Sequence, residues 1–489
     1  MKYRNLINAF IIFFAVFFIC LQVWLERFFG QVDIEQLAVF ILFGFQGLLD
    51  TEDYLISKFI QICLYFPVIF TLLYIIFFKL ASLLGKNYLK FNFFAKISKF
   101  QFFFSLLLFF FSIYNLSKNV SLQDFVLRDK NYDFIKENYT APNIKNYENI
   151  ESDQDLVLIY LEGVEDAFIK KDFISKKSID NLSLSSFGAK DFSEFYQTKY
   201  NNWTVGAIIS SQCGVPQKPV GIIDVRRKGF MSNRHVFGLK KFLPNIYCLG
   251  DLLKLANYKN IFINAVDLKF QAMGAFLNQH GYDELIGKKY FDNLNLQNKN
   301  KSWGGGVNDS ELFALAKKKI IELKKENKRF NLTLLTTDTH NPGYVDDGCK
   351  IKFEESTKKM FRAVSCTAHE LNKFVKFIYD NYSNDTSIVI IGDHLNRHIE
   401  DYVHPEDLPN LKRSIYNKFV SKNLTLQRNT INHFDLFPTI LNILNFDFNG
   451  KLGLGYSSVK KTIVNYNAYR KKLEKNIRNK STYYNEFWK

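Results

Sequence analysis

The sequence lacks the common signatures of nucleic-acid-binding proteins, although the chain carries a formal net charge of +16. It has no zinc-finger spacing of cysteines and histidines, no helix-turn-helix pattern and no RNA-binding aromatic motif. A basic surface also suits anionic lipid headgroups or a phosphorylated substrate. Because long apolar runs are present as well, we predict that the chain contacts a membrane and has no nucleic-acid partner.

A signal-peptide cleavage site is also lacking. The run from Leu6 to Leu25 contains about 20 mainly apolar residues, which is long enough to span a hydrocarbon core. No small-residue cleavage motif follows it, and Trp24, Glu26 and Arg27 are typical of an anchor at the membrane interface. We therefore predict a retained transmembrane helix over residues 6–25.

Further apolar segments extend this membrane anchor over residues 1–118. Residues 59–78 and 100–116 predict two more transmembrane helices. The stretch 34–49 is apolar too, but it is short and flanked by acidic residues, so we predict a helix lying in the membrane interface.

The distribution of charge predicts the orientation of this anchor. The N-terminus and the connection over residues 79–99 carry Lys and Arg but no acid, whereas the connection between the first two spans carries six acidic residues. Cytoplasmic loops carry the excess of Lys and Arg. Three spans with this pattern deliver everything after residue 118 to the extracytoplasmic side.

Four of the six cysteines lie in the part of the chain that is predicted to be exported, where disulfides persist. Pairing by nearness in the sequence gives Cys213–Cys248 and Cys349–Cys366. Four cysteines allow three connectivities, and four buried thiols are the other interpretation.

Beyond a linker over residues 119–150, the sequence predicts a globular domain over residues 151–455. Four apolar runs are typical of buried parallel strands, and helical patterns lie between them. The runs are Leu156–Leu161, Asn260–Ala265, Leu332–Leu335 and Ser387–Ile391, and the helical patterns are Leu249–Asn257, Asp309–Lys325, Arg362–Tyr379 and His433–Leu444. This alternation predicts an α/β fold with a mostly parallel central sheet and helices on both faces.

Polar side chains follow three of these runs, at the strand ends where the chemistry of such sheets gathers. Glu162 directly follows the first run, Asp338 and His340 follow the third, and Asp393 and His394 follow the fourth. Carboxylate and imidazole groups are ligands for Mn²⁺, Mg²⁺ or Zn²⁺. The sequence therefore predicts a metal site where these strand ends converge.

A candidate nucleophile is Thr204, in the segment Asn202-Trp-Thr-Val-Gly206. It precedes a helical stretch of small residues, and backbone N–H groups at a helix N-terminus attract phosphate oxygens. They also help to lower the pKa of a hydroxyl that binds a metal ion. A plain N-cap threonine is the alternative interpretation.

Several further short motifs are distributed along residues 130–440. They are Leu158-Ile-Tyr-Leu-Glu-Gly163, Trp203-Thr204, Ser211-Gln-Cys-Gly-Val-Pro216, Cys248-Leu-Gly-Asp251, His280-Gly-Tyr-Asp283, Ser302-Trp-Gly304, Thr337-Asp-Thr-His340, Ala363-Val-Ser-Cys366 and Gly392-Asp-His394. The set resembles the sulfatase-like enzymes of the alkaline phosphatase superfamily, in the group of lipoteichoic acid synthases and phosphoethanolamine transferases. It is most similar to the membrane-bound phosphoglycerol transferases of periplasmic glucans in Gram-negative bacteria.

The resemblance implies a role for each residue of the predicted metal site. Glu162, Thr204, Asp393 and His394 hold one divalent metal ion, with Mn²⁺ or Mg²⁺ favoured and Zn²⁺ as a further option. Thr204 attacks the phosphorus of the donor and becomes a covalent phospho-intermediate.

The resemblance also implies residues on the substrate side. His340 contacts the phosphoryl group of the substrate or protonates the leaving group. Lys269 and Phe270 fall where the family holds the headgroup, and Trp303 is a further candidate, for which a structural aromatic is the other interpretation.

The implied function is transfer of the phosphoglycerol headgroup of phosphatidylglycerol to a hydroxyl of a glycan, in the bacterial inner membrane with the catalytic domain facing the periplasm. The alternative is a phosphoethanolamine transferase that uses phosphatidylethanolamine, with a glycan, lipid A or core sugar as acceptor. A sulfatase or phosphodiester hydrolase is disfavoured because the chain has no Cys-x-Pro-x-Arg motif for making formylglycine.

Two features stay open at the level of sequence. His398, His404 and His433 are candidates for a second metal site, as in the related phosphoethanolamine transferases, or else lie at the surface or cap a helix. The basic residues after Gly455 predict a C-terminal tail over residues 456–489 that lies on anionic headgroups or forms a solvated helix.

Overall fold

The structure, a computed structural model, divides into two compact units, one reaching from the N-terminal residues to Arg128 and the other from Asp129 to Lys489. It describes residues 2–30, 32–34, 36–37, 53–88, 93–126, 129, 131–148, 150, 152–170, 173–218, 241–294, 302–354, 356–422, 424–461 and 464–489.

The first unit consists of apolar helices. They are α1 (Lys2–Phe29), α2 (Asp53–Phe59) with a π-helical continuation over Ile60–Tyr65, α3 (Phe66–Tyr88), α4 (Phe93–Asn119) and α5 (Leu122–Val126). Three segments are long and apolar enough to cross a membrane, namely Leu6–Phe29, Ile56–Leu80 and Gln101–Asn119. They overlap the three apolar segments that the sequence singled out.

Two further segments of the predicted anchor are the basic connection over residues 79–99 and the stretch over residues 34–49. The basic connection over residues 79–99 is mostly helical, because α3 continues to Tyr88 and α4 already begins at Phe93. The segment contains no proline that would end a helix. The predicted interfacial helix over residues 34–49 falls largely on residues 38–52, which lie outside the described part of the chain.

The second unit is built on a six-stranded sheet with the strand order β4-β3-β5-β1-β6-β7. The strands of the second unit are β1 (Asp155–Leu161), β2 (Glu194–Phe195), β3 (Lys259–Asn264), β4 (Glu284–Ile286), β5 (Phe330–Leu335), β6 (Thr386–Gly392), β7 (Asn417–Val420), β8 (Thr430–Ile431), β9 (Lys451–Leu452) and β10 (Gly455–Tyr456). Within the six-stranded sheet all neighbours are parallel except β7, which runs antiparallel to β6. The predicted α/β fold with a mostly parallel sheet is confirmed.

Helices cover both faces of this sheet. They are α6 (Phe134–Asn138), α7 (Ala167–Lys170), α8 (Lys176–Ser183), α9 (Thr204–Cys213), α10 (Leu249–Leu255), α11 (Met273–Gln279), α12 (Lys288–Asp292), α13 (Asp309–Glu326), α14 (Lys359–Tyr382), α15 (His433–Ile443), α16 (Tyr466–Asn476) and α17 (Thr482–Glu486). Short 3₁₀ turns lie at Ile144–Asn146, Ser185–Phe187, Phe270–Ala272, Trp303–Gly305, Ile399–Asp401 and Leu408–Asn410.

The central strand β1 is buried on both sides, because its alternating side chains enter two different hydrophobic clusters. Leu156, Leu158 and Tyr160 pack with residues of α9, α10, α15 and α16. Val157, Ile159 and Leu161 pack with residues of α8, α13 and α14. This burial on both faces explains why the strand reads as a continuous apolar run rather than an alternating one.

The strand order brings three loop segments to one edge of the sheet. β1 lies between β5 and β6, and Leu161 stands opposite Gly392 in the parallel register. A side chain at Gly392 would overlap the backbone oxygen of Val164, so the loop after β1 passes close to the end of β6 only because this residue is glycine. Glu162 and Asp393 therefore leave the sheet side by side.

Both disulfides that were predicted by nearness in the sequence are confirmed. Cys213 pairs with Cys248 and ties the end of α9 to the residue that precedes α10. Cys349 pairs with Cys366 and ties the segment after β5 to the middle of α14.

The predicted linker and the predicted C-terminal tail are both parts of the second unit. Phe134 and Tyr147 from the linker region enter the same hydrophobic cluster as Tyr469, Leu473 and Ile477 from the C-terminal residues. Tyr469, Leu473 and Ile477 recur every four residues and form an apolar stripe along α16 and its C-terminal end. From the sequence we considered only the basic residues of this segment and missed the stripe. A fully solvated helix is therefore excluded, whereas contact of the exposed basic residues with anionic headgroups stays a prediction.

Replacing Trp488 tests whether the C-terminal residues belong to this core. Trp488 is 5% exposed, and its ring lies 4.9 Å from that of Phe242. We expect Trp488→Ala to lower the free energy of unfolding by about 3–5 kcal/mol because it removes a large buried side chain. The matched control is Tyr290→Ala, at a tyrosine that is 40% exposed, with an expected change within about 0.5 kcal/mol. Urea unfolding of the detergent-purified chain measures both, and equal effects would contradict the assignment.

Candidate active site

Three of the four predicted metal ligands lie together at the ends of β1 and β6. Glu162, Asp393 and His394 are buried and each offers a ligand atom within 4.8 Å of the others. The Nε2 atom of His394 lies 3.4 Å from Glu162 Oε1 and 3.5 Å from Asp393 Oδ2. The fourth, Thr204, donates a hydrogen bond from its hydroxyl to Glu162 Oε2 at 3.1 Å. The structure thus brings the whole predicted set together.

Thr204 is the first residue of α9, and its neighbours fix this helix end. The N-cap position belongs to Trp203, which has an extended backbone, so the interpretation of Thr204 as a plain N-cap residue was wrong. The Trp203 indole donates to Gln217 Oε1 at 2.6 Å. Gly206 packs so closely that a side chain there would overlap the backbone oxygen of Tyr200 and the Trp203 ring. The Thr204 hydroxyl is therefore directed to Glu162 instead of serving the helix.

Asp393 presents one carboxylate oxygen that its surroundings leave without a donor. Its Oδ1 atom accepts hydrogen bonds from the backbone N–H groups of Gly163 and His394, both at 2.8 Å. Its Oδ2 atom is buried and accepts no hydrogen bond from the described residues. A buried carboxylate oxygen without a donor is costly. A cation bound among these side chains would offset that cost, so the site fits a metal ion.

The electrostatics of the site reflect this concentration of negative charge. Burial, together with the neighbouring Glu162 carboxylate, raises the pKa of Asp393 to about 7. Burial also acts to raise the pKa of Glu162, but the adjacent His394 outweighs it and lowers that pKa to about 2. Burial acts to lower the pKa of His394, yet the two carboxylates raise it to about 9. Positive charge, on a protonated His394 or on a metal ion, has to balance the pair.

Threonines at the end of β5 hold the backbone of Glu162. The Glu162 N–H donates to Thr336 Oγ1 at 3.2 Å, and the Thr339 hydroxyl donates to the Glu162 carbonyl at 2.5 Å. The sequence analysis did not assign these two residues, because threonine near the end of a strand is common and carries no distinctive spacing.

Asp338, a further carboxylate at the converging strand ends, makes a different set of contacts from the four predicted metal ligands. Its carboxylate accepts hydrogen bonds from Asn308 Nδ2 at 3.0 Å and from the Asp309 N–H at 2.9 Å. These donors belong to the start of α13, where unpaired N–H groups attract a carboxylate. Asp309 in turn accepts from the Thr337 N–H at 2.8 Å, so the two aspartates brace the loop that leads to His340.

His340 forms one end of a row of packed aromatic rings. Trp303 stacks on its ring with centroids 4.2 Å apart and an interplanar angle of 21°. Phe270 meets Trp303 edge-on with centroids 5.2 Å apart, and Lys269, the next residue along the chain, is exposed. Burial lowers the pKa of His340. The four residues predicted for substrate binding thus form one contiguous feature, and the charge of His340 acts on Glu162.

The three histidines considered for a second metal do not assemble into one. Within the described residues, the further group of three potential ligands is Cys248, Asp251 and His280, and Cys248 is held in a disulfide. The side chain of His404 is 68% exposed, and His398 lies beside Asp401. His433 donates a hydrogen bond to the backbone oxygen of Asp393 at 2.6 Å.

An ion pair that sequence reasoning missed holds the loop after His394. Arg413 Nη2 lies 2.6 Å from Glu165 Oε2, and the Glu165 side chain is fully buried. The same carboxylate accepts from the Asn396 N–H at 3.1 Å. Glu165 and Arg413 are 248 positions apart, so no local pattern indicates that they meet.

Comparison with known proteins gives a consistent picture. The family profile described as Sulfatase matches residues 224–446, a range that contains His340, Asp393 and His394 but begins after Glu162 and Thr204. Phosphoglycerol transferase I of Escherichia coli O127:H6 is 32% identical over 313 residues, which is 62% of this chain and 39% of that protein. The chain thus matches less than half the length of these curated relatives.

The solved structures that this chain matches include two bacterial proteins. The lipoteichoic acid synthase LtaP from Listeria monocytogenes has a TM-score of 0.49 at 19% identity, covering 66% of this chain and 80% of that one. A protein in the alkaline phosphatase superfamily from Vibrio parahaemolyticus has a TM-score of 0.48 at 20% identity, covering 65% and 72%. Together with the profile match, the curated relatives confirm the resemblance that the motifs indicated. Residues 224–446 thus match the Sulfatase family profile, and over 313 residues the chain is similar to the phosphoglycerol transferases I.

Proposed function

We propose that this protein transfers the phosphoglycerol headgroup of phosphatidylglycerol to a hydroxyl of an extracytoplasmic glycan, with Thr204 as the nucleophile. The observation that carries the proposal is the cluster of Glu162, Asp393 and His394, together with the hydrogen bond that joins Glu162 to the Thr204 hydroxyl at the start of α9. The name of the curated homologues, phosphoglycerol transferase I, supports this choice of reaction.

One divalent metal ion is part of the proposal. Two carboxylates, one imidazole and one hydroxyl form a donor set that suits Mn²⁺ or Mg²⁺ and also accommodates Zn²⁺. The Asp393 Oδ2 atom, which accepts no hydrogen bond from the described residues, supports a cation here. When bound, such an ion neutralises the charge of the phosphodiester and makes the threonine alkoxide accessible near neutral pH.

In the first half of the reaction, Thr204 takes the headgroup from the lipid. Its oxygen forms a bond to phosphorus, and the bond between phosphorus and the diacylglycerol oxygen breaks. The proton that Thr204 gives up ends on that leaving oxygen, so atoms and charge balance. The position of Thr204 at a helix N-terminus favours the negative charge of the phosphoryl oxygens.

In the second half, an acceptor hydroxyl attacks the phosphorus, the bond between phosphorus and the Thr204 oxygen breaks, and the proton that the acceptor gives up ends on Thr204. His340 is placed to handle protons in these steps. Its Nδ1 atom lies 3.2 Å from the carbonyl of Asn341, which only accepts, so Nδ1 carries a proton and Nε2 faces away from that bond. A lowered pKa keeps Nε2 available to accept the proton of the acceptor hydroxyl.

Lys269 supports glycerol rather than ethanolamine as the headgroup. Lys269 is exposed and lies between Leu268 and Phe270 in the chain, and Phe270 packs against Trp303. A lysine ammonium repels the ammonium of ethanolamine, whereas it donates hydrogen bonds to the hydroxyls of glycerol.

The surroundings that we propose are the bacterial inner membrane, with the second unit facing the periplasm. Three helices of sufficient length and apolar character support a multi-pass anchor. The two disulfides of the second unit support an oxidising compartment.

Removing the Thr204 hydroxyl tests the nucleophile. We expect Thr204→Ala to lower transfer from headgroup-labelled phosphatidylglycerol by roughly 10³-fold or more, because no covalent intermediate forms. Wild-type protein quenched during turnover should carry the label on Thr204, detected by mass spectrometry. Thr425→Ala, at an exposed threonine, is the matched control and should leave activity unchanged.

The same assay separates the donor lipids. Parallel reactions with phosphatidylglycerol and phosphatidylethanolamine would add groups of different mass to the acceptor. Transfer from phosphatidylethanolamine alone would contradict the glycerol assignment, and full activity in Thr204→Ala would contradict the mechanism.

Replacing His340 tests proton handling. We expect His340→Gln to lower kcat by about 10²- to 10⁴-fold, the range for loss of a general acid or base. The unfolding midpoint should fall only slightly, since the partly buried ring makes one hydrogen bond to its own neighbour and one stacking contact with Trp303. A large loss of stability with unchanged kcat in the folded fraction would assign His340 a structural role instead.

The pH dependence of metal binding follows from the shifted pKa values. Metal binding must displace the protons of Asp393 and His394, whose pKa values are raised to about 7 and about 9. Affinity for Mn²⁺ should therefore rise with pH up to about 9, by at most about tenfold per pH unit for each proton displaced. Titration calorimetry in buffers of different ionisation enthalpy counts those protons. A Kd that is constant between pH 6 and pH 9 would refute the assignment.

A further inference from the structure

His433 lies directly behind the proposed metal ligands. It is the first residue of α15 and is fully buried. Its Nε2 atom lies 2.6 Å from the backbone oxygen of Asp393. A carbonyl oxygen only accepts hydrogen bonds, so Nε2 carries the proton and Nδ1 is the acceptor nitrogen. That Nδ1 atom is buried and has no partner among the described residues.

We propose that His433 is a positioning residue, which fixes the backbone of Asp393 so that its Oδ2 atom faces the cation. The proposal rests on the metal site of the proposed function. In this proposal His433 donates to the backbone carbonyl of Asp393 and does not bind a second metal ion. Groups that hold a ligand from behind orient it and raise the affinity of a metal site.

The remaining polar atoms of Asp393 are held from other directions. Its N–H donates to the carbonyl of Leu161 at 3.1 Å, and its Oδ1 atom accepts from Gly163 and His394. The bond from His433 is the contact that fixes the carbonyl side of the residue. With N–H, C=O and Oδ1 all engaged, the Oδ2 atom alone is left to meet a cation.

His433 is itself held rigidly, as a positioning residue must be. Asn432 and Asp435 form a reciprocal capping box at the start of α15, with the Asn432 N–H donating to Asp435 at 3.0 Å. Arg428 lies 3.3 Å from the buried Asp435 carboxylate, and Tyr466 of α16 also donates to it. The imidazole packs edge-on against Phe195 with ring centroids 4.9 Å apart. The ring therefore has little freedom to turn away from Asp393.

The test compares variants of His433 in the detergent-purified full chain. His433→Phe keeps a ring but has no N–H donor, and His433→Asn keeps polarity but is too short to reach the carbonyl. We expect either change to raise the Kd for Mn²⁺ by about 10- to 100-fold, the range for loss of such a supporting bond. His433→Gln can offer an N–H near the same place and should recover part of the affinity. Binding is measured by titration calorimetry, and one Mn²⁺ per chain is expected throughout.

The chain offers a matched control in His280. It is 1% exposed, and its Nε2 atom makes the same kind of bond to a backbone oxygen, that of Phe242 at 2.9 Å. His280→Asn should lower the unfolding midpoint but leave the Kd for Mn²⁺ unchanged. Affinity loss in the His433 variants alone therefore separates positioning from general destabilisation.

The outcomes distinguish this inference from the proposed function. If the wild type binds neither Mn²⁺ nor Mg²⁺ nor Zn²⁺, the proposed metal site fails and the inference fails with it. If the wild type binds Mn²⁺ and a folded His433→Phe or His433→Asn binds it equally well, the inference alone is overturned. Loss of a second bound Mn²⁺ in these variants would likewise overturn it, because His433 would then be a ligand. If His433→Phe does not fold, His433→Asn decides.

Discussion

Two buried carboxylates share one small volume at the edge of the sheet, and the rest of the second unit is arranged around that constraint. Glu162 and Asp393 leave adjacent parallel strands, and Asp393 Oδ2 has no hydrogen-bond donor in the described part of the chain. Isolated buried charges of this kind are strongly unfavourable unless a positive partner balances them. His394 supplies such a charge when protonated, and a divalent cation among the same atoms would supply more. The negative charge that makes this arrangement unfavourable is thus also what would attract a cation for phosphoryl chemistry.

The fold holds this unfavourable arrangement through backbone contacts more than through side-chain packing. β1 and β6 are paired neighbours in the sheet, the loop after β1 passes close to Gly392 because this residue has no side chain, and the threonines after β5 hold the backbone of Glu162. On the helical side, α9 presents Thr204 at its first residue, and the Cys213–Cys248 disulfide ties the far end of the same helix. A buried ion pair between Glu165 and Arg413 holds the loop that follows His394. Each ligand is therefore supported from a different element of the core.

The C-terminal residues have a larger part in the unit than their basic composition indicates. The hydrophobic stripe of α16 packs into the cluster that also covers one face of β1, and Tyr466 reaches the capping residues of α15. Because α15 begins at His433 behind Asp393, the end of the chain is linked to the candidate site through two helices. The alignment with the curated relatives covers only part of their length. The activity of this chain is therefore a proposal, and the experiments on Thr204 and on metal binding test it.

The sequence by itself determined the α/β class, the main strands and helices, the three long apolar segments, both disulfides and the set Glu162, Thr204, Asp393 and His394. These features depend on periodicity, on length or on residues that directly follow a buried strand, all of which are local. Only the tertiary structure decided that Asp338 serves the start of α13, that His433 supports Asp393, and that residues 456–489 join the core. The partners in these cases come from distant parts of the chain, and hydrogen bonds between distant residues leave no pattern in a single sequence.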